Sequence, residues 1–370
     1  MHKSEHKKET LIRIAKRDDL ARSKAVCIRL LAVILSLVIC GIIIVVLTGL
    51  NPFGVYQGII DGAVGNKRRF WITIRESLIL LLIAIGLTPA FKMRFWNIGA
   101  EGQILAGGIA AAALMIYQGE SMSPWILFPL MLIASALAGL VWGLIPAIFK
   151  AIWNTNETLF TLMMNYIAMQ VVNYCIILWE TPKGSNTIGT INQASKAGWL
   201  PAIFGLDYGW MIILVALAAV VMYVYMKYSK QGFEITVVGS SENTANYSGM
   251  NVRKIILRTM AISGAICGLA GFMIVSGTAH TISTSTAGGR GFTAIIAAWM
   301  SKFNIAAMAL ISFFLVFMEN GAVQIASQFN LNENASSIII GVILFFLIGC
   351  EFFIDYQVKF GGMRKGGKNS

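Results

Sequence analysis

The sequence predicts an all-α polytopic membrane protein of about ten transmembrane helices, with short broken helices toward its C-terminal part. Three observations carry that prediction. Of 370 residues, 57% are hydrophobic and only 12% charged, where soluble domains carry about 25% charged. Continuous apolar runs such as 30–50 and 211–226 approach the roughly 20 residues a bilayer requires, unlike the ~10-residue alternation of a transmembrane barrel. Lys and Arg flank these runs unevenly, far more on one side than on the other.

Residues 1–29 hold nine Lys/Arg and lead into the run Leu30–Leu50, too long for a signal-peptide core and followed by no small-residue cleavage site. They read as a cytoplasmic basic tail before an anchored span. A transmembrane domain over 30–356 follows, and 357–370 forms a second cytoplasmic basic tail. Membrane segments are expected near 30–50, 72–91, 98–117, 125–148, 158–179, 208–227, 255–277, 289–301, 303–319 and 336–354. The pair 289–301 and 303–319 is short and glycine-interrupted, so either can be a half-helix or re-entrant. With both tails inside, 22 Lys/Arg lie on the cytoplasmic side and 7 outside, the asymmetry expected of inner-face loops.

Lys67, Arg68 and Arg69 are the exception, which an outer interfacial helix over 51–70 explains. Asn51-Pro52 starts it, and Phe53, Tyr56, Ile59, Ile60 and Val64 recur at helical spacing. A second outer loop, 180–207, is rich in Gly, Ser, Asn and Pro; it is either a docking face or a solvated connector. The longest cytoplasmic loop, 228–254, contains SSENTANYSG, where Ser240 or Ser241 can cap a short helix and Gly249 can end it.

Between two apolar runs lies FWNIGAEGQILAGG, Phe95–Gly108. Irregular glycine-rich backbone at membrane depth survives only against protein or a cavity. Asn97 can cap the next helix, and Glu101 falls near its first turn, where the dipole tolerates a carboxylate. Gly102, Ala106 and Ala110 form a small-residue stripe that permits close packing. The functional alternative places Glu101 and Gln103 at the inner end of a pathway or gate. In the fifth segment Tyr166, Gln170 and Asn173 share a helical face, with Asn165 beside them; a polar face there marks a wet pathway or a subunit interface.

Several chemistries are excluded. Glu76, Lys302, Glu319 and Glu351 fall near segment ends, so no relay of buried carboxylates for proton coupling is visible. The five cysteines lie singly, with no CxxC pair, and neither a triad nor HExxH occurs; no catalytic residue or metal site is expected. Gly362–Lys368 formally fits GxxxxGK, but no strand precedes it and the sequence leaves no helix to follow, so it reads as a basic anchor. The formal charge of +12 sits beside the spans, which argues for a membrane surface and against nucleic acid.

FWNIGAEGQ resembles the FNIGAEGQ signature of permease subunits in ABC importers for nucleosides and simple sugars. TPAFKMRFWN resembles the lead-in, VVGSSENTANYSGMNVRKIILRTMAISGAICGLAG the cytoplasmic loop and next span, and GGRGFTAIIAAWMSKFN a later glycine-containing segment. Trp96, in place of a bulky aliphatic, and Ala298–Ser301, in place of a small glycine-containing stretch, depart from the pattern. The resemblance implies the fold of vitamin B12-type importer permeases in a plasma membrane. It implies no cofactor on this chain, ATP being used by a cytoplasmic ATPase. The other implied partners are a homologous permease, giving a heterodimer, and an extracytoplasmic binding lipoprotein of the basic-membrane-protein type. The solute expected is a nucleoside, with a simple sugar next and branched-chain amino acids third; a partner-independent secondary transporter is the rival class. The loop helix at 241–249 would be the coupling helix, with Glu242, Asn243, Ala245, Tyr247 and Gly249 in a groove of the ATPase. Aromatic stacking and amide hydrogen bonds for a nucleoside would come from Phe95, Trp96, Asn97, Gln103, Asn165, Tyr166, Gln170 and Asn173.

Overall fold

The chain threads twelve described α-helices: α1 (Leu37–Val46), α2 (Pro52–Val64), α3 (Lys67–Lys92), α4 (Ala100–Gln118), α5 (Pro124–Trp153), α6 (Glu157–Trp179), α7 (Gly209–Tyr228), α8 (Lys230–Ser240), α9 (Glu242–Tyr247), α10 (Val252–Ile274, continued by a π-helical turn Val275–Ala279), α11 (Arg290–Met300) and α12 (Ile305–Gln328). The computed structural model describes residues 37–46, 49–203 and 208–330, the strands 12–16 and 356–360, and isolated positions at 31, 34, 35, 338, 341, 342, 345 and 349. It divides into two units, 67–316 and 1–66 with 317–370.

Seven described helices, α3 to α7, α10 and α12, are long and apolar enough to cross a membrane. The expected ten are not reached among the described residues. α1 is a shorter apolar helix within 30–50, and 336–354 lies outside the described residues apart from isolated positions. The 289–301 segment is α11, only 11 residues long. The 303–319 segment is not short: α12 has 24 residues and ends at Gln328. Asn304 fixes its start by accepting the N–H groups of Ala306 and Ala307 at 3.0 and 3.2 Å.

In the unit of 1–66 and 317–370, Pro52 stands in the first turn of α2 and the Asn51 side chain accepts the Phe53 N–H. The helix is not a single interfacial element to residue 70. It ends at Gly65, and Lys67, Arg68 and Arg69 form the first turn of α3. Nor does it present all its apolar spacing to lipid: Ile59 is buried while Phe53 and Ile60 are exposed. Gly62 explains the seat, because a Cβ there would meet the Gln324 Cβ of α12 at 2.5 Å. Ile12–Lys16 and Tyr356–Phe360 pair antiparallel, Ile12 opposite Phe360 and Lys16 opposite Tyr356. Both segments carry β-branched or aromatic residues that favour strands.

In the unit of 67–316, α10 is central: 72% of its apolar stretch is buried inside the protein, against 17% for α7. Glycine permits the crossings. A Cβ on Gly107 of α4 would meet the Gly268 carbonyl at 2.2 Å, and one on Gly139 of α5 the Gly264 carbonyl at 2.3 Å. Without a strong hydrophobic drive between helices in lipid, such backbone approach supplies the packing. In the stripe expected at Gly102, Ala106 and Ala110, Gly102 packs closely on α6, where a Cβ would meet the Met164 carbonyl at 3.2 Å, while Gly107 faces α10. The 228–254 loop likewise holds two helices. Ser229 caps α8 by accepting the Gly232 N–H at 3.0 Å. The β-branched run Ile235–Val238 and two glycines give α8 weak intrinsic propensity; burial of Ile235 and Val238 overrides it.

Candidate substrate pathway and coupling site

Pro89 closes the last turn of α3, its carbonyl accepting the Met93 N–H, and Phe95 N–H returns to Ala90 at 3.0 Å. Arg94 between them has φ 61. The chain then runs irregularly to Gly99, the N-cap of α4, which makes no side-chain cap. Asn97 is thus not the cap. It is fully buried. Its Oδ1 accepts the Gly99 N–H at 3.1 Å and the Gln103 amide at 3.2 Å. Its Nδ2 donates to Gln103 Oε1 at 3.3 Å and to Ser263 Oγ of α10 at 3.2 Å. The side chain is saturated, as burial of an amide demands.

Helix α4 takes its cap from α6 instead. Asn165 Oδ1 accepts the Gly102 N–H at 2.9 Å, and its Nδ2 donates to the Ile98 carbonyl at 2.9 Å. Thr161 Oγ1 accepts the Ile98 N–H at 3.3 Å. The first-turn donors that a helix leaves unpaired are met by a neighbouring helix.

Glu101 serves a different helix from its own. It is 3% exposed, and its Oε1 accepts the Gly291 N–H at 2.6 Å. Gly291 lies in the first turn of α11, where the helix dipole favours a carboxylate. A Cβ on Gly291 would stand 2.9 Å from the Glu101 nitrogen, so the approach needs glycine. Arg290 beside it donates to Glu76 Oε2 at 2.6 Å, and Glu76 Oε1 takes Arg75 at 2.7 Å.

At the other end of α11, Trp299 stacks on Trp96 with centroids 5.6 Å apart and planes at 16°. Phe91 meets both edge-on at 5.8 and 5.9 Å. Trp96 and Trp299, the latter within the departing stretch Ala298–Ser301, are therefore partners. Both rings stay nearly half exposed, 46% for Trp96 and 44% for Trp299. Phe95 points elsewhere, into a buried cluster with Ala147, Ile255, Met260 and Ala245 of α9.

The remaining sequence candidates separate from this centre. Tyr166, Gln170 and Asn173 lie on the exposed face of α6, whereas Asn165 is buried, with Asn173 Nδ2 donating to Gln170 Oε1 at 3.3 Å. On α9, Ser241 accepts the Thr244 N–H at 3.2 Å, and Gly249 beyond its end has φ 75. Ala245 is fully buried on the bundle side, whereas Glu242, Asn243 and Tyr247 face outward, Tyr247 at 93% exposure. A cleft of about 680 Å³ beside α9 is lined by Lys150, Glu242, Asn246 and Arg253. Thr161, Ser263 and Gly291 escaped sequence reasoning. Only Gly291, in the run GGRG, carried a local signal; Thr161 and Ser263 are ordinary helical residues until the helices pack. Among the described residues, no three His, Cys, Asp or Glu side chains converge to hold a metal ion.

Residues 71–348 match the family model described as "Branched-chain amino acid transport system / permease component". The chain belongs to that permease family. The permease is 33% identical over 350 residues to the guanosine ABC transporter permease protein NupP of Bacillus subtilis, covering 92% of this chain and 97% of that one. It is 28% identical over 347 residues to the glucose ABC transporter permease protein TsgB13 of Haloferax volcanii, covering 91% of this chain and 90% of that protein. Identity to the nucleoside ABC transporter permease protein NupB of Lactococcus lactis subsp. cremoris is 27% over 260 residues, 68% of this chain and 70% of that one. Seven apolar helices make the permease a multi-pass membrane protein.

Proposed function

We propose that the permease forms the translocation pathway of an ATP-driven nucleoside importer in a plasma membrane, working by alternating access. Its likeness to NupP along nearly the whole of both chains carries this reading. A simple sugar is the second reading, and the likeness to TsgB13 supports it. A cytoplasmic ATPase supplies the energy, a second homologous permease completes the pathway, and an extracytoplasmic lipoprotein delivers solute. Pairing of residues 12–16 with 356–360 supports placing both tails on one side, the cytoplasmic one by charge.

In this reading α9 is the coupling helix. Glu242, Asn243 and Tyr247 meet the ATPase, and Ala245 seats the helix on the cluster that also holds Phe95. Movement at α9 then reaches the Phe95–Gln103 loop, and through Glu101 the start of α11. ATP can shift inward and outward states only through contacts that differ between them, and a helix seated on the motif loop supplies a route. Trp96 and Trp299 offer flat rings for a nucleobase, and the Tyr166–Gln170–Asn173 face of α6 lines the seam with the second permease.

Reconstitution in proteoliposomes with both permeases, the ATPase and the lipoprotein tests the reading. ATP-dependent uptake of radiolabelled guanosine is expected, with glucose uptake at background. Preferential glucose uptake would replace the solute, and uptake by the chain alone under a pH gradient would reject the class.

A further inference from the structure

Trp96 and Trp299 cover one another. With planes at 16° and centroids 5.6 Å apart, the face that each indole turns to the other is closed to a third ring, although both remain nearly half exposed elsewhere. The two partners are anchored unequally. Trp96 stands between Phe95 and Asn97, both buried, and its carbonyl accepts the Ile98 N–H at 3.1 Å and the Thr161 hydroxyl at 3.3 Å. Its backbone is thereby tied to α6 as well as to its own loop. Trp299 stands in the last turn of α11, and the ring meets only other rings among its aromatic contacts: Phe91, Trp96 and Phe303, the last edge-on at 5.3 Å. Lys302 and Phe303 follow with φ 50 and 62, two successive left-handed residues that are not glycine, a conformation that carries strain. Glu101 fastens the first turn of α11 through Gly291, so the less restrained end of this 11-residue helix is the one that bears Trp299.

We infer that the Trp96 face now covered by Trp299 is the stacking platform for the base of the solute, and that Trp299 is a competing ring which the base displaces. This rests on the nucleoside reading above and adds to it the residue that sets selectivity. A planar heteroaromatic ring restores the ring-on-ring contact that Trp299 gives up, because every base has a π-face to lay on an indole. A sugar brings no π-face, so it loses the aromatic pair without replacing it. Trp299 therefore weakens binding of every solute by the fraction of time that it covers the platform, and a base recovers more of that loss than a sugar does.

Equilibrium dialysis of radiolabelled guanosine against the full-length, detergent-purified permease tests this by the sign of two substitutions. Removing the competitor frees the platform, so Trp299→Leu should tighten guanosine binding about two- to tenfold. Removing the platform should do the reverse, Trp96→Leu weakening it about fivefold or more. Weaker binding in both variants places the base on the outside of an intact stack and overturns the inference, as does unchanged binding in both. Should the variants not fold, 8-azidoguanosine on the wild-type chain should photolabel the peptide holding Trp96, and labelling confined to other peptides overturns the inference. Reconstituted import keeps the two readings apart. ATP-dependent guanosine uptake by the wild-type complex, with binding unchanged in Trp299→Leu, rejects the competing ring and leaves the nucleoside reading standing; uptake of glucose and not of guanosine rejects both.

Discussion

The carboxylate of Glu101 accepts the backbone N–H of Gly291 at 2.6 Å, joining the FNIGAEGQ-like motif to a glycine run 190 residues further along the chain. Replacing Glu101 by Ala leaves a buried N–H unpaired, a loss of about 1–3 kcal/mol. Glu101→Gln keeps an acceptor oxygen and removes only the charge favoured at the α11 N-terminus, about 0.3–1 kcal/mol. Thermal unfolding of the purified permease should rank wild type above E101Q and E101Q above E101A. Equal midpoints for the two variants would mean that Gly291 does not depend on this acceptor.

Stacking of Trp96 on Trp299 predicts energetic coupling between them. Aromatic pairs add about 0.5–1.5 kcal/mol beyond their burial. A double-mutant cycle of Trp96→Leu and Trp299→Leu, read by unfolding, should return a coupling of that size. Strict additivity would show that the rings are neighbours without interaction.

Ala245 and Tyr247 should behave as opposites. Ala245 is fully buried and Tyr247 almost fully exposed, so Ala245→Arg forces a charge into the cluster that seats α9 and should sharply reduce yield and stability. Tyr247→Ala should leave unfolding unchanged within about 0.5 kcal/mol while weakening solute-stimulated ATP hydrolysis in the assembled complex. Wild-type coupling in Y247A would remove Tyr247 from the ATPase contact.

The α4–α10 crossing admits no added methyl. Gly107→Ala would put its Cβ 2.2 Å from the Gly268 carbonyl, and overpacking of this kind costs about 1–3 kcal/mol. A melting temperature lowered in G107A but unchanged in Gly184→Ser, a left-handed loop glycine replaced by a polar residue, is not expected to hold if φ alone decides; Gly184 has φ 85 and open space around it, so the two variants separate packing from backbone strain. Packing predicts the larger loss in G107A.

His280 stacks on Trp199 with centroids 3.7 Å apart and planes at 5°. Burial, and then Arg75, hold its pKa below the ordinary 6.5. Glu120 and Lys196 line the same cavity with Arg75 and His280. The folded chain binds fewer protons than the unfolded one just below pH 6.5, so this contribution to stability is complete above 6.5 and declines as the pH falls toward the lowered folded value. Unfolding midpoints should therefore fall on acidification through that window, and less so in His280→Asn. An identical pH profile for the variant would detach the effect from His280.

Composition and hydrophobic runs determined that this chain is a helical membrane protein, because spanning lipid forces every backbone group into internal hydrogen bonds. FWNIGAEGQ and the capped ENTANY turn were also legible, since caps and glycine turns are local. Tertiary structure decided where those residues point. Asn97 pairs with Gln103, Asn165 caps another helix, Glu101 holds α11 and Ala245 turns inward, while Tyr166, Gln170 and Asn173 face away. Helical spacing tells which residues share a face, but only packing chooses the neighbour that face meets. For α8 packing chose even the secondary structure, since a buried apolar face outweighs a few tenths of a kcal/mol of unfavourable propensity per residue.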